Sequence, residues 1–152
     1  MIVRNKAACI FCSVVTTLGC LALPFITIGY ATFGIGHLVR TSDPEYGWEV
    51  GTVVSEDRVK QVFESDLAVA VDECRILYDM WDNFPGEVQE ILVNMLFNLG
   101  RPRLSKFKNM KKALDNRKWA LAANEGRDSL WYRQVGNRAE RLMGRLEDVT
   151  NT

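Results

Sequence analysis

"GYATFGIGHLVR", residues 29–40, decides how this chain is read. Three glycines, a threonine and the sole histidine, His37, fall within twelve residues. "ATFGIGHLV" has the alternation of a short strand interrupted by glycines. "RTSDPEYG" after it is turn chemistry, with Asp43-Pro44 and Gly47. "WEVGTVV" reads as a further strand, so residues 30–54 are expected to form a small antiparallel hairpin or meander. Ribbons this short do not stand alone in water and need helices to lean on.

Those helices follow. Ser55 before Glu56 and Asp57 is a helix start, a capping hydroxyl with acids in the first turn. Val59, Val62, Phe63, Val69 and Ala70 then recur at helical spacing. Asp66 lies seven residues beyond Val59, on the same apolar stripe, where a carboxylate must find a partner or reach solvent. His37 is the natural candidate, and a His37–Asp66 pair would tie hairpin to helix. Asn83-Phe84-Pro85-Gly86 breaks the helix. "EVQEILVNMLFNLG" is apolar nearly all round, as expected of a helix at the centre of a helical lobe, and Gly100 ends it as a C-cap. Short helices separated by Gly, Asn or Asp fill the remainder. The fold class expected is α+β: a small β lobe, a long connecting helix and a C-terminal helical lobe.

The 152 residues suit one domain, 47% hydrophobic and 25% charged, with a formal net charge of zero. Charge is nevertheless segregated. Thirteen acids face three bases between Asp43 and Glu90, and thirteen bases face six acids from Arg101 onward. The run Arg101, Arg103, Lys106, Lys108, Lys111 and Lys112 would attract an anionic cell-wall polymer. It has little aromatic interleaving and no nucleic-acid motif, so no DNA or RNA partner is expected. Cys9 and Cys12 have CxxC spacing without a second pair, which argues against zinc, and Cys74 reads as an interior helix residue.

The N-terminal stretch is different in kind. After Arg4 and Lys6, residues 7–29 carry no charge, and no Asp or Glu precedes Asp43. The pattern reads as a secretory signal or membrane anchor, with a buried helix and strand as the alternative. The chain is thus expected to be secreted or membrane-associated, or cytoplasmic if that stretch is not a signal.

Taken together, the segments from about Gly29 to about Leu146 resemble the phage-type lysozymes, glycoside hydrolase family 24. "GYATFGIGHLV" matches the family's hairpin signature, "VSEDRVKQVFESDLAVAV" its connecting helix, "VNMLFNLG" its central helix and "WYRQVGNRAERL" its arginine-rich C-terminal helix. Residues 29–152 are read as the lysozyme-like domain, and residues 1–28 as a signal-like or anchor segment outside the resemblance. The resemblance implies a monomer without cofactor or metal that cleaves the β-1,4 bond between N-acetylmuramic acid and N-acetylglucosamine in peptidoglycan. Such inverting hydrolysis needs one carboxylic acid to protonate the leaving oxygen and a second carboxylate to help water attack.

The family's pattern is Glu, eight residues, Asp, five residues, Thr. Thr32 matches the threonine, which holds the attacking water. Counting back places Ile26 at the Asp position and Thr17 at the Glu position. Neither does acid chemistry, and general acid catalysis alone is worth on the order of 10²–10⁴ in rate. Leu38, Phe97 and Asn98 match positions of the saccharide cleft, with Asn98 able to donate its amide to an acetamido group. Two functions follow: a lysozyme by descent that is inactive or severely impaired, or a peptidoglycan-binding module or membrane-tethered relic. Asp43, Glu45 and Glu49 are the acids that would have to stand in for the missing pair.

Overall fold

The computed structural model describes residues 4–5 and 31–149. Thr17, Ile26 and the apolar stretch 7–29 lie outside the described residues. The chain divides into two compact units, Met1–Asp66 and Leu67–Thr152.

The first unit is built on a three-stranded antiparallel sheet in the order β1 (Arg4–Asn5), β2 (Ala31–Phe33), β3 (His37–Leu38). Arg4 pairs with Thr32 and Asn5 with Ala31, while Thr32 pairs with Leu38 and Phe33 with His37. Gly34, Ile35 and Gly36 make the loop between β2 and β3. Gly34 has φ +60°, and a Cβ there would stand 3.0 Å from Val59 Cγ1, so both backbone and packing demand glycine. Phe33 is buried with Val54, Val59 and Val62, and these four side chains form the unit's core cluster among the described residues.

Residues 48–54 do not form the expected strand. Gly47 and Gly51 adopt φ of +81° and +108°, and the chain turns repeatedly. The Trp48 N–H donates to the Glu45 carbonyl (3.1 Å) and the Thr52 N–H to the Glu49 carbonyl (3.1 Å). Val53 alone makes an isolated bridge. Local turn bonds satisfy backbone groups that a ladder would have used.

Helix α1 (Glu56–Leu77) begins in the first unit and ends in the second. The Arg58 N–H donates to Ser55 Oγ at 3.3 Å, closing the first turn. Its apolar face supplies Val59 and Val62 to one core and Ala70 and Cys74 to the other. Cys74 is a free, fully buried thiol whose pKa burial pushes up to about 12, aided by Glu73; it is a packing residue.

The second unit is helical. After a 3-10 turn at Trp81–Asn83 come α2 (Gly86–Leu99), α3 (Arg101–Leu104), α4 (Lys108–Asp115), α5 (Trp119–Arg127), α6 (Leu130–Val135) and α7 (Asn137–Glu147). Val88, Ile91, Leu92 and Met95 of α2 have no exposed surface, which makes α2 the helix around which this unit packs. Gly100 ends α2 with φ +72°, its N–H donating to the Leu96 carbonyl. Among the described residues no helix is long and apolar enough to cross a membrane.

Gly126 of α5 sets how closely α5 approaches α7. A Cβ there would stand 2.2 Å from Met143 Sδ, and Met143 is fully buried. Gly126→Ala is therefore expected to destabilise the protein by about 1–3 kcal/mol, the ordinary cost of overpacking. Chemical denaturation would check this, and an unchanged midpoint would show that Met143 can swing aside.

Candidate functional site

The β2–β3 ribbon presents two faces. Directly opposed residues of an antiparallel pair share a face, and neighbours along a strand point to opposite faces. Thr32 and Leu38 are therefore on one face, Phe33 and His37 on the other. Ring contact confirms the second pairing, with the Phe33 and His37 rings edge to face at 5.2 Å.

On the His37 face the imidazole sits between two carboxylates. His37 Nδ1 lies 2.7 Å from Asp66 Oδ2 on α1, and Nε2 lies 3.1 Å from Asp43 Oδ2 in the turn after β3. An ionised carboxylate only accepts, so with both carboxylates ionised each contact requires a proton on the nitrogen facing it. The imidazole is thereby held between two acids. Asp66 ties the hairpin to α1; Asp43, whose link to His37 the sequence did not suggest, ties down the turn. The Arg40 N–H also donates to Asp43 Oδ2 at 2.6 Å. Burial alone would raise the Asp43 carboxyl, but Arg40, His37 and Arg58 hold it below the ordinary carboxylate value.

Glu45 is 3% exposed, the most buried acid described. Arg58 grips it with two bonds, Nε to Oε1 at 2.7 Å and Nη2 to Oε2 at 3.1 Å. This fork holds the Glu45 carboxyl below its ordinary value despite burial. Both acids are thus held in the direction opposite to that needed by a proton donor, whose carboxyl must be raised toward neutrality. Glu49, the third acid of the turn, is exposed. A groove lined by Ile35, Glu56, Val59, Lys60 and Phe63 includes none of the catalytic or saccharide-binding residues expected from the sequence.

Thr32 is buried and Leu38 is exposed on the opposite face from His37. In the second unit, Phe97 is half-buried against the helical core and Asn98 is exposed, both on the last turn of α2. Asn98 Oδ1 accepts from Trp131 Nε1–H at 2.9 Å. Because an indole nitrogen only donates, Trp131 fixes which end of the amide faces it and turns the Asn98 NH₂ away. Trp131 itself is buried and packs edge to face on Phe107 at 6.4 Å, so it orients the amide from within the core. Nearby on α2, Asn94 Oδ1 accepts from Arg138 of α7 at 2.7 Å. Neither Asn94 nor Arg138 stands out in the sequence, since each is one polar residue on an otherwise ordinary helix.

No family model matches the chain. It is 28% identical to probable T4-type lysozyme 1 of Dictyostelium discoideum and 29% identical to probable T4-type lysozyme 2 of the same organism. Each alignment spans 143 residues, covering 82% of this chain and 84% of the relative. The pre-baseplate central spike protein Gp5 of Enterobacteria phage T4 is 28% identical over 144 residues, covering 80% of this chain and 25% of that much longer protein. Glycine-turned hairpin, connecting helix and helical unit in that order, together with these similarities, make the chain a relative of the phage-type lysozymes.

Proposed function

We propose that this protein binds the alternating N-acetylmuramic acid and N-acetylglucosamine strand of peptidoglycan and hydrolyses it slowly or not at all. The support for binding is the retention of Leu38, Phe97 and Asn98 at positions that match the saccharide cleft of phage-type lysozymes. One observation carries the loss of catalysis: Asp43 and Glu45, two of the acids that would have to replace the missing pair, are committed elsewhere. Asp43 is bound to His37 on the ribbon face away from Thr32, and Glu45 is closed by Arg58. Glu49 is exposed in the turn. Thr17 and Ile26, at the family's Glu and Asp positions by spacing, offer a hydroxyl and a hydrocarbon.

The test mixes the purified full chain with Gram-positive cell walls and follows turbidity and co-sedimentation together. Co-sedimentation without clearing is expected. Clearing at a lysozyme's rate would overturn the inactive reading. Walls that neither clear nor retain the protein would overturn the binding reading and leave a relic.

The same reading assigns residues 7–29 to export or membrane anchoring. Arg4, the basic start of that segment, is paired in the sheet of the first unit, so an uncleaved anchor would keep β1 and a cleaved leader would remove it. N-terminal sequencing of the mature protein decides between them.

A further inference from the structure

Charge in the second unit is concentrated between Arg101 and Lys118, where eight bases accompany a single acid. Three of those bases are engaged. Arg101 Nε lies 3.5 Å from Glu73, and the Arg117 guanidinium donates to the Asn83 carbonyl at 2.9 Å. Lys111 reaches Asp79 at 3.4 Å and Asp115 at 3.3 Å, and stands 5.8 Å over the Tyr78 ring. Asp115, the only acid of the stretch, is thereby used. Arg103, Lys106, Lys108, Lys112 and Lys118 are all exposed, and none makes an ion pair among the described residues.

These five cations fall on consecutive elements, α3, the turn after it, α4 and the residue that opens α5. Lys108 and Lys112 sit one turn apart on α4, away from its buried Met110, Ala113 and Leu114. The helical rise puts their Cα atoms about 6 Å apart, a spacing suited to successive charges on an extended polymer. The Lys106 N–H donates to the Arg103 carbonyl at 3.2 Å, and the Lys118 N–H returns to the Ala113 carbonyl at 2.9 Å. Those bonds fold one flank of the edge against each end of α4. Other bases of this unit do meet acids, as Arg127 does Glu140 and Arg145 does Glu87. Arg133, Arg138 and Arg141 are exposed without an ion pair among the described residues, but do not belong to so dense a run of bases as these five. An unpaired row of like charge repels itself, and the repulsion is relieved by an anionic partner.

We infer that the α3–α4 edge docks a phosphodiester polymer of the bacterial wall, holding the protein on its glycan. The location of that partner rests on the peptidoglycan reading; the binding itself does not. Four of the five cations are lysines, compact point charges that bind phosphate without a fixed geometry. Single-stranded nucleic acid is disfavoured because the edge has no stacking platform: Phe107 is half-buried against the core and Trp119 is buried.

The experiment titrates the full chain with lipid-free poly(glycerol phosphate) over a range of salt, beside duplex DNA at equal phosphate concentration. Affinity should fall linearly on logarithmic axes, with a slope corresponding to about three to five neutralised phosphates. The variant R103Q/K106Q/K108Q/K112Q/K118Q, with an unchanged circular dichroism spectrum, should bind at least about tenfold more weakly at low salt. It should still co-sediment with walls stripped of phosphate polymer. The R103K/K106R/K108R/K112R/K118R variant keeps every charge and should bind like the natural chain. Absence of polymer binding, or equal binding by the glutamine variant, would overturn the proposal. Tighter binding to DNA than to polymer would overturn the assigned partner. Polymer binding by a chain that ignores stripped walls would refute the glycan reading alone.

Discussion

Thr17→Glu combined with Ile26→Asp is expected to confer wall-clearing activity, while the natural chain and either single variant leave the walls intact. Oxocarbenium-like departure needs a proton at the glycosidic oxygen, and a hydroxyl or a hydrocarbon has none to give near neutrality. One positioned acid is worth on the order of 10²–10⁴ in rate, or about 3–5 kcal/mol of barrier. The second carboxylate acts with the first, so the gains do not add independently. Turbidity loss and release of reducing ends are the measurements. A double variant that folds, binds walls and stays inactive would mean that counting back eight and five residues from Thr32 misplaces the acids. The converse control is Thr32→Val in the double variant, which should remove most of the gained activity while leaving wall binding nearly unchanged.

Patterns that repeat along the chain were legible in the sequence. Ser55 before two acids marked the start of α1, and the apolar girth of "EVQEILVNMLFNLG" marked the helix at the centre of the second unit. The burial requirement of Asp66 on the α1 stripe pointed to a partner, and the single histidine supplied a short candidate list. What was not legible depends on the path of turns. "WEVGTVV" has the residue types of a strand, but glycines at 47 and 51 take positive φ, and local hydrogen bonds won over a ladder. Asp43 and Glu45 looked like solvated turn acids because nothing local says that the turn carries one onto His37 and the other beneath Arg58. Helix α3 went unread because "RPRL" is one turn long and begins with a proline near its N-terminus, a position that fits a helix start as well as a loop. For the site, single positions such as Thr32 were visible only through resemblance, whereas the Trp131–Asn98 bond needed coordinates.

Arg58→Ala should cost about 3 kcal/mol at neutral pH and reverse the sign of Glu45's contribution to the pH dependence of the first unit. Removing one member of a buried ion pair leaves the other charge without compensation, and the usual penalty is about 3–5 kcal/mol. Arg58 is a quarter exposed, which sets the expectation at the lower end. In the natural chain Glu45 and Asp43 are held below their ordinary values of 4.5 and 3.8. The unfolded chain therefore binds more protons, and stability rises with pH through the carboxylate range. The contribution is complete above the ordinary values and is lost as pH falls through the lowered folded ones. Without Arg58, burial becomes the dominant influence on Glu45 and favours its protonated form. Glu45 then contributes stability in acid that disappears as pH rises, the opposite sign. Amide exchange of residues 31–39 and 54–62, followed from about pH 3 to pH 7, reads this unit directly, with intrinsic exchange rates corrected at each pH. The natural chain should gain protection with rising pH, and Arg58→Ala should gain less or lose it. Glu45→Gln with Arg58→Met should recover much of the loss and flatten the profile, because no buried charge remains to be compensated. Parallel profiles for the natural chain and Arg58→Ala would show that the fork contributes little to the dependence.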